Sequence, residues 1–144
     1  MAIGGYTEGV QARTALVLAA LTAALPTRVV TADYRPMNDR PAEDLAKGVV
    51  TLVVTAERDY SAGKGMVALR GTTRWTLVAQ LQMAASTAPV AVQDAEMALA
   101  EEIKAFARTG IAGMDVRVEQ FTFSQQQEHP YGWLTADLTA GPEQ

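Results

Sequence analysis

Hydrophobic positions along this chain fall into two helical patterns and four extended ones. Val10, Val17, Leu18, Leu21 and Leu25 share one face of a helix predicted over about 8 to 25 and closed by Pro26. Thr7 stands in the N-cap position, with Glu8 in the first turn where an acid complements the helix dipole. Alanine fills much of the remaining surface, a smooth and nearly uncharged exterior that suits packing against another chain or element.

A short extended piece, "TRVVTADY", leads into "RPMNDRPAEDLAKG", whose two prolines and many charges read as an irregular surface loop. "GVVTLVVTAERDY" is rich in β-branched residues and predicts a strand over about 49 to 59, covered on both faces at its centre. "LRGTTRWTLVAQLQMAA" alternates. Trp75, Leu77, Ala79, Leu81 and Met83 hold one face, and Arg74, Thr76, Val78, Gln80 and Gln82 hold a face left to water or a partner.

After "STAP", Val92, Ala95, Leu99, Ile103 and Phe106 mark a second helix, with Glu96, Glu101, Glu102, Lys104 and Arg108 mostly off that stripe and Gly110 ending it. In "MDVRVEQFTFS" the apolar residues change parity between Val118 and Phe121, which predicts a bulge near Glu119 and Gln120. "WLTADLTAG" then forms a hairpin with it, Pro130 and Gly132 being assigned to the turn. The order helix, two strands, helix, two strands predicts an α+β fold, an antiparallel sheet of about four strands with helices packed on one face. At 144 residues the chain reads as a single domain, 1–144.

Between the first two long strands lies "SAGKGM". A phosphate-binding loop needs a glycine five positions before its Gly-Lys pair and a hydroxyl residue after the lysine, but Arg58 and Gly65 occupy those places. The segment reads instead as a hairpin tip long enough to project from the sheet. Tyr60 and Met66 offer amphipathic contact area there, and Lys64 and Arg70 suit an acidic rim, so these four are the candidate interface with another subunit or a partner.

Composition narrows the chemistry. With 12 basic and 16 acidic residues the net charge is -4, which opposes nucleic-acid binding, and the absence of cysteine removes disulfides and thiol chemistry. "ALVLAALTAAL" has the length of a signal-peptide apolar core but is too short to span a bilayer, and it reads better as part of the first helix. His129, the single histidine, sits beside Pro130 without a second imidazole and reads as a turn residue. Ser61, Ser86 and Ser124 lack a nucleophile elbow, Glu101 and Glu102 read as a solvated face, and Tyr131 and Trp133 as a staple between strands. No catalytic set and no cofactor or metal site is indicated.

The order of segments, and in particular the helix at 10 to 25, "GVVTLVVTAE", "RWTLVAQLQM", "EMALAEEIKAFA" and "YGWLTADLTA", resembles the tail terminator proteins of long non-contractile-tailed bacteriophages. The resemblance implies a structural virion protein of the tail or neck, assembled in the host cytoplasm and without an active site. Such proteins form a ring of six copies on the tail tube protein, end tail polymerisation, and present a surface to the head-tail connector protein. Another neck component, such as a connector or tail-completion protein, is the alternative within phage assembly. A small α+β ligand-binding module or enzyme is the alternative outside it.

Overall fold

The computed structural model describes residues 9–58 and 71–142. Its elements are α1 (Val10–Ala24), β1 (Val29–Thr31), a single 3-10 turn (Met37–Asp39), α2 (Ala42–Lys47), β2 (Val49–Arg58), β3 (Thr72–Gln82), α3 (Pro89–Thr109), β4 (Met114–Phe123) and β5 (Tyr131–Pro142). The fold is α+β, as the pattern predicts. The sheet, however, has five strands in the order β1-β2-β3-β5-β4 and is mixed rather than wholly antiparallel, because β1 joins β2 in parallel through Val29–Thr31. That strand is the short extended piece before the loop.

Alternation along the strands builds the core. Paired positions place Leu52, Leu77 and Ala136 on one face, and likewise Trp75 with Leu138 and Ala79 with Leu134. Against this face lie Val17 and Leu21 of α1 and Leu99, Ile103 and Phe106 of α3, all buried. In β4 the register shifts between Val118 and Gln120, which returns Phe121 and Phe123 to the core face opposite Ala136 and Leu134. The parity change in the sequence thus marks a real bulge.

The helices are not confined to one face. Arg40 donates from Nη2 to Thr51 Oγ1 at 3.2 Å, and Gln80 donates from Nε2 to the Arg35 carbonyl at 3.0 Å. Thr51 and Gln80 belong to the second face, so the connection through Arg35 and Arg40 lies over it. The same connection contains α2, where a wholly irregular loop is expected from sequence. Pro41 precedes it, Glu43 and Asp44 occupy its first turn, Lys47 its last, and Gly48 ends it at φ 90°.

At the other end of the sheet, the β4–β5 connection runs over 124–130, with Gln125 and Gln126 both at positive φ. Gly132 is therefore not a turn residue. It is a buried strand position paired with Leu81, and its hydrogen side chain is required by what stands over it.

Candidate functional site

The expected interface residues Tyr60, Lys64, Met66 and Arg70, with the whole tip between β2 and β3, fall within 59–70 and lie outside the described residues. What is described is the base from which that segment departs. β2 and β3 remain paired out to Arg58 and Thr72. There α1 is fastened to both strands by Arg13, a fully buried residue that donates from Nε to Thr73 Oγ1 at 3.2 Å and pairs with Glu57. Trp75 Nε1 donates to Thr14 Oγ1 at 3.0 Å in the next layer. Arg13 sits four residues before Val17, on the apolar face, and the apolar pattern alone does not reveal it.

Two margins of the sheet are open among the described residues. β1 covers β2 only at Val49–Thr51, so the outer edge of β2 from Leu52 to Arg58 has no strand partner, and β4 is bordered on one side only. Val54 shows what the first margin lacks. It pairs with Trp75 on the core face yet is 48% exposed. At the second margin Phe121 and Phe123 are only partly buried and stack on each other with centroids 6.3 Å apart.

β2 and β5 run one way and β3 and β4 the other, so β4 of one copy laid beside β2 of the next would be antiparallel. Each margin also carries a bulge, at Thr55 and at Glu119, which restricts regular pairing to short stretches. Arg74 reaches across β5 to Glu119 at 2.9 Å and fixes the second bulge from within the sheet.

The outer face of α1 is uncharged. Leu16 is 40% exposed, and Ala19 and Ala23 continue its stripe. Ala20, Ala23 and Ala24 form one wall of a shallow groove of about 500 Å³ whose other wall is Ala105 and Phe106 of α3. Glu102, which also lines the groove, pairs with Arg28 at 2.5 Å. Glu102 thus ties α3 to the start of β1, whereas Glu101 is solvated and pairs with Lys104 at 2.7 Å, which holds its carboxyl below the usual range.

Glu96 is not on a solvated face. It is fully buried in α3, and its carboxyl accepts from Ser124 N at 3.3 Å, Ser124 Oγ at 2.5 Å and Trp133 N at 3.1 Å. This cluster joins α3 to both ends of the β4–β5 connection. All three donors converge on one carboxyl group and together clasp α3 to the connection. His129 lies half-buried in the same connection, and its Nε2–H donates to the Thr87 carbonyl. Trp133 is a neighbour of Gln80 across the strands, in keeping with a stapling role. Among the described residues no group of three His, Asp or Glu side chains could hold a metal ion, and no helix is long and apolar enough to cross a membrane.

No protein-family model matches this chain, and neither does any curated protein.

Proposed function

We propose that this protein is a structural component of a bacteriophage neck that works by assembly rather than catalysis, as a ring-forming tail terminator. In this reading six copies close on the end of the tail tube protein, stop its growth, and offer the free face of the ring to the head-tail connector protein. The observation that carries the proposal is the pair of open sheet margins whose polarities match head to tail. Two different complementary edges on one chain form a heterologous interface, and heterologous interfaces close into rings when the rotation per copy divides the circle. The exposed Val54 at one margin and the half-covered Phe121 and Phe123 at the other give such a joint apolar content. The uncharged stripe of α1 adds a surface of the kind that neighbouring copies cover.

Imaging of the purified protein by negative-stain electron microscopy, with mass photometry across a concentration series, tests this reading. Closed rings of one size are expected, and their mass should correspond to six copies. A monomer at every concentration, also in the presence of tail tubes, would overturn the proposal. Complementation of a phage lacking its terminator separates this role from that of another neck component. Tails of uniform length are expected with a terminator, whereas filled heads and regular tails that stay unjoined without the protein would point to a connector.

A further inference from the structure

The second face of the sheet carries a groove of about 480 Å³ between the connection that precedes α2 and the middle of β3 and β5. Tyr34 and Trp133 supply two aromatic side chains, Met37 an apolar contact, and Glu128 and Thr135 oxygen atoms at its walls. Gln80 also lines it. This residue is 3% exposed, donates from Nε2 to the Arg35 carbonyl, and leaves its Oε1 without any hydrogen-bond partner. Buried acceptors are seldom left unpaired, since each such group forfeits a water hydrogen bond.

We propose that this groove is a docking site for an arginine-bearing segment of a partner protein. Its functional groups all favour a cation with N–H donors: the orphan Oε1, the Glu128 carboxylate, the Thr135 hydroxyl and two electron-rich rings. No cationic side chain lines the groove among the described residues, and Glu128 makes no ion pair there. The nearby arginines direct their guanidinium ends elsewhere, although Arg40 Nε is itself buried without a hydrogen-bond partner. Arg35 pairs with Asp33 at 3.1 Å, and Arg40 directs Nη2 to the Asp33 carbonyl at 2.7 Å and to Thr51 Oγ1. Tyr34 is 53% exposed, an amphipathic ring presented at the rim where a flat guanidinium stacks well. This inference stands apart from the ring reading and holds for a monomer as well as for an assembly.

Titration of the isotope-labelled protein with the capped tripeptide acetyl-Ala-Arg-Ala-amide, followed through the indole N–H signals, tests the site. Trp75 is fully buried and hydrogen-bonded to Thr14, so Trp133 serves as the reporter and Trp75 as the internal control. A saturable shift of the Trp133 signal is expected, with the citrulline tripeptide, its neutral near-isostere, binding at least tenfold more weakly. Glu128→Gln, an exposed change that leaves the fold intact, should weaken the arginine peptide by a comparable factor. Gln80→Leu should weaken it further, read alongside thermal unfolding because the Arg35 contact is also lost. Equal binding of the citrulline peptide, no effect of Glu128→Gln, or no saturable shift would each overturn the proposal. Free acetyl-arginine amide binding as tightly as the tripeptide would overturn the assignment to a protein segment in favour of a small cationic ligand.

Discussion

Replacing Gly132 by alanine tests the packing of α3 on the sheet at its tightest point. A Cβ at this position would stand 2.7 Å from Glu96 Oε2, 2.7 Å from Val92 Cγ1 and 2.8 Å from Leu81 Cδ1. Each separation is shorter than a real carbon contact, and the three atoms come from two elements, α3 and β3. A single side chain at its free end could swing aside. Glu96 Oε2, however, is held by Ser124 Oγ and the Trp133 N–H, and Val92 and Leu81 are buried against the core. Overpacking of this kind costs about 1–3 kcal/mol. The loss of glycine's freedom in the unfolded chain returns about 0.4–1 kcal/mol. A net destabilisation of about 1 kcal/mol is expected by urea unfolding, with the slope unchanged if only the native state is affected. Glu96→Ala strands two backbone donors and a hydroxyl and is itself destabilising, by about 1–3 kcal/mol per donor left unsatisfied. In the double variant the methyl enters the space the carboxyl has vacated. The two effects should therefore sum to more than the double variant shows, by about 1 kcal/mol or more, as expected for residues in contact. A Gly132→Ala protein as stable as the parent, or strict additivity in the cycle, would refute the tight approach.

Other perturbations follow from the same geometry. Leu77→Ala, at the centre of the core face and fully buried, should cost about 2–5 kcal/mol in chemical denaturation; a change under about 0.5 kcal/mol would place it at the surface. Arg13→Leu removes the cation facing Glu57 and should cost about 3 kcal/mol, at the low end for a broken buried pair because Glu57 retains some solvent contact. Adding Glu57→Gln should recover part of that loss, and a double variant weaker than Arg13→Leu alone would contradict the pairing. Glu101 has its carboxyl pKa depressed by the hydrogen bond and then the charge of Lys104, so its contribution is present at neutral pH and fades as the pH falls through the lowered value. An NMR titration of Lys104→Met should return Glu101 towards the ordinary range; an unmoved titration would assign the shift to another cause.

The sequence made the core legible wherever one face repeats over several turns or pleats. Trp75, Leu77, Ala79 and Leu81 alternate in sequence and are buried in structure, and the parity slip between Val118 and Phe121 is enough to locate the bulge. It was silent where a polar residue faces inward for a tertiary reason. Arg13 and Glu96 lie at helical spacing from Val17 and from Val92 and Ala100, and nothing local distinguishes them from solvated charges until Glu57 and Ser124 are brought opposite. Gly132 reads as a turn residue in sequence for the same reason. A glycine beside a proline suggests a turn, whereas here the demand for it comes from Glu96, 36 residues earlier. α2 was within reach, since Pro41, Glu43, Asp44, Lys47 and Gly48 form a complete set of start and stop signals. Six residues of helix are too few for periodicity to declare.

The two proposals meet in a geometric consequence. Joining sheets edge to edge by one repeated rotation continues the sheet, so every copy turns its second face to the same wall of the ring. The groove of Tyr34, Gln80 and Trp133 lies over β3 and β5, inside both margins, and edge pairing would leave it open. A closed ring would then display one cation-accepting groove per copy, all on one wall and at equal spacing. A partner that repeats its arginine with matching symmetry would bind through several grooves at once, gaining affinity without any new contact. Glu128→Gln would act on each copy of such a contact, so its effect on a ring-shaped partner should exceed its effect on the tripeptide by more than tenfold. An equal effect on both would mean that the grooves and the ring face different directions, and would separate the docking site from assembly.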